Sequence, residues 1–377
     1  MTRLYLHIGL QKTGTSYLQN LCWSSVDELR GQGVTMVPEG RIETFWLALD
    51  VRQRIDAHDV PRVGRSVELL PEQLAAVTTP SALITHETLA SASAAQISRL
   101  LEACAGHEVH VVVTARDIGR QVPSLWQEGL KAGRSDTLEE YVAELRGPAG
   151  RSGTVWRRLD LGGVLGRWAQ AVPPERVHVV TVPGPNGPRE ALLERYCAVL
   201  GVDPGALDPN KAGPGNPGLG KAEAELLRRV NERVPDRYRR RVPYGEVGKR
   251  WFAMGILARA GSAPVRLGRA HEEWCRERAE ESVRVIGELG CDIVGDVADL
   301  LPDSDVFEDT GGPDEAAVLE AATRALGAVL EERLEQRLAR RAGAAGAAGA
   351  AAQPGAAPTP RGVRRALGAV RRRLGRD

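Results

Sequence analysis

A chain of 377 residues is long enough to bury a full core and reads as one main domain with additions. Fifty Lys and Arg against 49 Asp and Glu leave a net charge of +1, so nothing global points to nucleic acid or a strongly charged partner. Five cysteines (Cys22, Cys104, Cys197, Cys275, Cys291) lie far apart without a CxxC pair, which reads as buried thiols in a reducing compartment and not as a disulfide frame or a metal site. No signal peptide precedes the first apolar stretch, and no apolar run approaches the ~20 residues that span a bilayer. A cytoplasmic protein is the default expectation, and the abundance of Arg, Ala and Gly fits a GC-rich bacterial genome.

The first predicted element is a short apolar strand, Leu4–Ile8, which runs into Gly9 and then a helix, Ser16–Glu28. The stretch Leu6–Gln19, LHIGLQKTGTSYLQ, has the rhythm of a phosphate-gripping loop. Gly14 allows a tight turn that brings backbone N–H groups to an oxyanion. The helix beginning near Thr15 directs its positive end at the same place. Lys12 adds a charge, and Thr13, Thr15 and Ser16 add hydroxyls. The usual triphosphate loop, GxxxxGK[ST], places its lysine after the glycine, and here Lys12 comes before Gly14.

Three more buried strands are predicted at Ala82–Thr85, Val109–Thr114 and Val177–Val182, with helices at Ala94–Ala105 and Leu159–Ala171 between them. Strands alternating with helices predict an open α/β sheet, mostly parallel and covered on both faces. Ligands of such sheets bind beyond the carboxyl ends of the strands. His86 and Glu87 follow the second of the four strands, and Arg116 and Ser124 follow the third.

From Lys221 the pattern turns helical, with Leu226, Leu227 and Val230 in Lys221–Val234 and Trp274, Val283 and Ile286 in His271–Leu289. Glu315–Arg341 predicts a long amphipathic helix with Leu319, Leu326, Leu330, Leu334 and Leu338 on one side. The expected organisation is a core over 1–235, a helical extension packed on it over 236–305, and the long helix over 306–342. An Ala/Gly/Pro linker (343–360) and a basic tail (361–377) with seven Arg complete the chain. The tail could touch an anionic surface.

The inverted loop, Lys12-Thr13-Gly14-Thr15-Ser16, resembles the 5′-phosphosulfate loop of sulfotransferases that use 3′-phosphoadenosine 5′-phosphosulfate, PAPS. Members of that family hold the cofactor's 3′-phosphate with an arginine at a strand end and a serine eight residues later. In VVVTARDIGRQVPSLWQ, Arg116 and Ser124 stand in those places. LGRWAQAVPPERVHVVTV followed by REALLERYCAVLGVDP is similar to the helix–strand–helix that closes the family's sheet. The resemblance covers roughly residues 3–235. It implies a P-loop-like three-layer fold with a helical C-terminal extension, and PAPS as cofactor with no metal. It also implies sulfuryl transfer to a hydroxyl or amine of a glycan, glycolipid or small metabolite. Gln11, Lys12, Thr13, Gly14, Thr15, Ser16, Arg116 and Ser124 would bind the cofactor, with Lys12 at the leaving group. Glu87, or else His86, would be the base. The chain departs from the family at Asn216-Pro217-Gly218-Leu219, which lacks the serine of an Asn-x-Ser-Leu turn, and it has no Arg-Lys-Gly motif.

The rival readings are a P-loop kinase or ATPase, for which Asp117 is the tempting magnesium ligand, and a non-catalytic nucleotide- or glycan-binding relative. GPGNPG at 213–218 matches GxGxxG without a preceding strand, and His107 and His110 read as loop or surface histidines. Arg237, Arg239, Arg240 and Arg241 with Tyr238 and Tyr244 read as a solvated helix end, with an anionic acceptor cleft as the alternative. The acceptor pocket is expected from loops at Thr44–Pro71 and Gly133–Val155.

Overall fold

The computed structural model describes residues 2–147, 153, 156–188, 190–213, 218–259, 261–309 and 314–351. Strand β1 (Arg3–His7) alternates Leu4 and Leu6 toward one helical layer with Tyr5 toward the other. It leads through the opening loop into α1 (Thr15–Ser24) and α2 (Val26–Gly31). The single predicted helix Ser16–Glu28 is thus two, broken at the buried Ser25, whose φ of −130° is not helical. Edge strand β2 (Val34–Met36) follows, then α3 (Arg41–Val51), α4 (Ser66–Ala75) and β3 (Ser81–Thr85). Every residue of β3 is buried, as expected of a strand covered on both faces.

Helix α5 (Ala94–Ala103) has a capping box of Ser93 and Gln96 and precedes β4 (Glu108–Ala115). Next come α6 (Ile118–Lys131), α7 (Leu138–Arg146), α8 (Leu161–Ala169), β5 (Val177–Thr181) and α9 (Ala191–Leu200). The later chain forms α10 (Lys221–Arg233), a short α11 (Arg241–Tyr244), and a π-helical segment, Gly245–Met254. Strands β6 (Leu267–Gly268), β7 (Asp292–Val294) and β8 (Phe307–Glu308) alternate with α12 (Glu272–Leu289) and α13 (Glu315–Ala351).

Six strands form one parallel sheet in the order β2-β3-β1-β4-β5-β7, and β6 pairs with β8 separately. Helices α3, α4, α5, α8 and α12 cover one face through Leu47, Leu70, Leu100, Trp168 and Ile286. Helices α1, α2 and α9 cover the other through Leu18, Leu21, Leu29 and Tyr196. In register, His7 lies opposite Thr85 of β3 and Val112 of β4. The chain leaves β1 toward β3 on one side and returns at β4 on the other, so the crevice beyond these carboxyl ends is a topological switch point.

Several expectations change. The sheet gains two edge strands, β2 and β7, and β7 comes from the stretch 236–305 expected to be a helical extension. The segments expected to be acceptor loops contain α3, α4 and α7. Helix α13 continues through 343–351, the start of the expected linker, because alanine runs favour helix. The rest of the linker and the basic tail, 352–377, lie outside the described residues.

The chain divides into two compact units, Met1–Ala322 and Thr323–Asp377. Within the first, Val318 and Ala321 pack with Ala222 of α10. The leucines of the predicted face, Leu319, Leu326, Leu330, Leu334 and Leu338, are exposed. Among the described residues no helix is long and apolar enough to cross a membrane. All five cysteines are free and buried, as expected.

Candidate functional site

The loop after β1 is built on three departures from ordinary backbone within six residues. Gly9, Lys12 and Gly14 have φ of 47°, 67° and 84°. A Cβ on Gly14 would lie 2.4 Å from Leu192 of α9, so only glycine both turns here and lets α9 pack. Lys12 has a side chain and adopts the left-handed region regardless, a strained conformation that surrounding contacts must hold. Thr13 supplies such contacts: its buried hydroxyl donates to the Leu10 carbonyl (2.5 Å) and shares a hydrogen bond with Thr114 Oγ1 (2.7 Å). That hydroxyl is committed to the loop, which leaves the Thr13 contribution to an anion with its backbone N–H. Gln121 Nε2 anchors the Gln11 carbonyl at 2.8 Å. Gly14 caps α1, whose first N–H groups have no intrahelical acceptor and point toward the loop.

Arg116 leaves the end of β4 and donates to the Lys12 carbonyl at 3.4 Å. Burial and the neighbouring Arg120 pull its pKa down to about 10, against the pull of Asp117. Its Nε is buried without a hydrogen-bond partner. An orphaned buried guanidinium nitrogen is costly unless something else completes it. Ser124, two turns into α6, donates to the Arg120 carbonyl at 2.9 Å. Asp117 accepts from the Arg120 N–H (2.8 Å) and pairs with its guanidinium, so it serves as the α6 cap.

Beside Arg116 a cavity of about 240 Å³ is lined by Leu10, Ile118, Trp156 and Arg278. Sequence reasoning missed the partner of Lys12. Its ammonium lies 3.5 Å from Glu128 of α6, and Glu128 also pairs with Lys249 of the π-helical segment. Burial would raise the Glu128 carboxyl, but Lys249, Lys12 and Lys131 hold it down at about 2. Burial, Lys12 and Lys249 push Lys131 down to about 8 despite Glu128.

Across β1, the end of β3 carries the other candidate residues. Glu87 Oε2 accepts from Gln19 Nε2 of α1 at 2.8 Å, and His86 Nδ1 lies 4.0 Å away. Burial pushes the Glu87 carboxyl up, but His86 and the Gln19 amide outweigh it and leave it below its ordinary value. It is therefore ionised near neutrality and open to accept a proton. His86 Nδ1 accepts from the Thr88 N–H at 3.3 Å, which puts the proton of the neutral ring on Nε2. His86 is thus the cap of the turn. Burial, with Arg52 and Arg41, lowers the His86 pKa against the pull of Glu87.

Beneath them His7, fully buried, bonds Thr85 Oγ1 through Nδ1 at 2.8 Å, and its Nε2 has no partner. Burial drops its pKa to about 4. It was not singled out in the sequence.

The decoys separate cleanly. His110 lies on β4 and bonds His178, and no cluster of three or more metal-ligating side chains occurs among the described residues. The centre of GPGNPG, 214–217, lies outside the described residues. Arg239 bonds the Val234 and Asn231 carbonyls and Tyr244 bonds Asn231, which ties the turn to α10, and Arg241 pairs with the distant Asp59.

No family model matches the sequence, and no curated protein matches it. Among solved structures the chain is similar to the "Sulfotransferase Domain from the Curacin Biosynthetic Pathway", at 12% identity over 78% of this chain and 98% of that one, with a TM-score of 0.33. A superposition that loose decides neither family nor activity, so the functional reading stands on the site's own geometry.

Proposed function

We propose that the chain is a PAPS-dependent sulfotransferase. The observation that carries this reading is the left-handed Lys12-x-Gly14 loop at the mouth of α1, with Arg116 closing on the Lys12 carbonyl from β4. Two features of the site fit such a cofactor: the buried Arg116 Nε lacks a partner, and the Gly14 turn presents N–H groups at a helix N-terminus.

In this reading the N–H groups of residues 12–16 and the hydroxyls of Thr15 and Ser16 would hold the 5′-phosphate, with Gln11 setting the loop's shape. Arg116 and Ser124 would hold the 3′-phosphate, Arg116 as a two-pronged donor. When bound, the cofactor supplies an activated sulfuryl group. Lys12 places an ammonium where charge develops on the leaving oxygen. Glu87, ionised and fixed by Gln19, takes the proton from an acceptor hydroxyl or amine, with His86 second in line. The kinase reading loses its magnesium ligand, because both carboxylate oxygens of Asp117 are held by Arg120.

Titration calorimetry of the full chain with adenosine 3′,5′-bisphosphate and with 5′-AMP tests the reading. The bisphosphate is expected to bind and raise Tm, by about 2.7 kcal/mol of stabilisation at ~100 times its Kd, and 5′-AMP far less. Lys12→Ala is expected to cost on the order of 10²–10³ in transfer rate with the fold intact. Equal affinity for the two nucleotides would remove the 3′-phosphate site.

A further inference from the structure

Glu128 lies one turn beyond Ser124 on α6, and its carboxylate meets two ammonium groups from distant parts of the chain. Lys249 pairs tightly with Oε1. Lys12 faces Oε2 from 3.5 Å, too far for a good hydrogen bond, and Oε2 is buried with no hydrogen-bond partner. The carboxylate therefore belongs to Lys249 and holds Lys12 loosely. Lys131, one turn further on, is 1% exposed and adds a third ammonium to the same neighbourhood. Glu128 is the carboxylate that Lys249 and Lys12 share, and the loop lysine it touches has a strained backbone.

We propose that Glu128 is an internal counter-anion: it occupies the Lys12 ammonium until an oxyanion enters the loop, and Lys249 sets how strongly it competes. Glu128 and Lys249 are then positioning residues, acting through Lys12 and touching no reacting atom. The inference rests on the reading of the loop as an anion site. An entering phosphate or sulfate group takes Lys12, and Glu128 stays with Lys249, so each of these two half-buried lysines keeps an anionic partner. Such an exchange costs less than ordering Lys12 from solvent, because Lys12 already lies beside the loop and has only a loose ion pair to give up.

Variants of the two partners should move anion affinity in opposite directions. Glu128→Gln frees Lys12 and is expected to tighten binding on the order of 10-fold, within the usual range of coupling between sites. Lys249→Met leaves Glu128 with Lys12 alone and is expected to weaken binding several-fold. The double variant should match Glu128→Gln within about twofold, the scatter of independent sites. If Lys249 attracted the anion directly, the double variant would bind more weakly than Glu128→Gln.

The test is calorimetric titration of the full chain and these variants with two probes, adenosine 3′,5′-bisphosphate and inorganic pyrophosphate. Glu128→Asp is the second variant should Glu128→Gln fail to fold. It keeps the charge on Lys249 but shortens the reach to Lys12, and intermediate tightening is expected. Tighter binding of both probes supports the proposal. Nucleotide binding that is unchanged or weaker in the Glu128 variants overturns it and leaves the sulfotransferase reading standing. Pyrophosphate binding with the expected pattern, but no nucleotide binding, overturns that reading and keeps the counter-anion. Binding of neither probe to the wild-type chain overturns both.

Discussion

The two ends of the sheet carry similar residues arranged to opposite purposes. At the amino ends of β4, β5 and β7, Glu108, His110, His178 and Asp292 form an unbroken chain of hydrogen bonds of 2.9, 2.9 and 2.6 Å. The two imidazoles stack at 5.2 Å with an interplanar angle of 8°, and all four ring nitrogens have partners. At the carboxyl ends of β1, β3 and β4 the same kinds of side chain are buried, yet His7 Nε2, Arg116 Nε and Glu128 Oε2 have no hydrogen-bond partner. Buried polar groups are normally satisfied; others are open elsewhere, as His107 Nδ1 is beside the start of β4, and under the proposed function a bound cofactor would complete those near the loop. A closed network ties strands together, and an open one waits for chemistry.

The largest expected effect breaks the open end. Glu87→Gln keeps the shape and the bond to Gln19 but removes the proton acceptor, so turnover should fall roughly 10²–10⁴-fold. Nucleotide affinity should hold, and it is measured in the same samples because a collapsed turn after β3 would mimic a lost base. His86→Asn is expected to be milder. The reverse ranking would make His86 the base, and small effects from both would place the base elsewhere.

A smaller effect is expected from pH. Burial lowers the His7 pKa to about 4, so between that value and its ordinary 6.5 the unfolded chain binds a proton that the folded chain refuses. Stability from this residue is present above about 6.5 and is lost as pH falls toward 4, about 3 kcal/mol in all. The depressed Glu87 carboxyl beside it acts in the same direction at lower pH. Denaturant unfolding of wild type and His7→Gln from pH 7.5 to 4.5 checks this. The variant should show a flatter fall, and identical curves would mean that His7 takes up its proton at the same pH in the folded and the unfolded chain.

The sequence made the scaffold legible where local chemistry decides it. Four strands, most helices and the Gly14 turn follow from apolar runs and a glycine whose conformation the loop requires. It was silent on β2 and β7, because three residues carry no period and both strands gain their identity by pairing at an edge. Lys12, Glu87 and Arg116 were visible as chemistry-bearing residues at strand ends. Their partners were not: Gln19 lies 68 residues from Glu87, and Glu128 reaches Lys249 across 121. The Thr13 hydroxyl shows the same limit, since only the fold reveals that Thr114 holds it.

The smallest effect should come from the closed end. His178→Leu removes the bonds to His110 and Asp292 together. The Asp292 side chain is 47% exposed and regains water, so little is lost there. The His110 ring is 15% exposed and keeps its bond to Glu108, but its Nδ1 is left without a partner, at a cost of about 1 kcal/mol. Leucine on a half-buried sheet face offsets part of this through contact with the His110 ring, against which His178 stacks. The expected result is a modest drop in unfolding free energy, with the affinity for adenosine 3′,5′-bisphosphate unchanged, because the His178 ring, on β5, is engaged with His110 and Asp292, two strands away from β1 and its loop. Denaturant unfolding and calorimetry on the same preparation check both halves. A loss of affinity accompanying the loss of stability would show that the two ends are coupled through β4, and the contrast between a closed and an open network would fail.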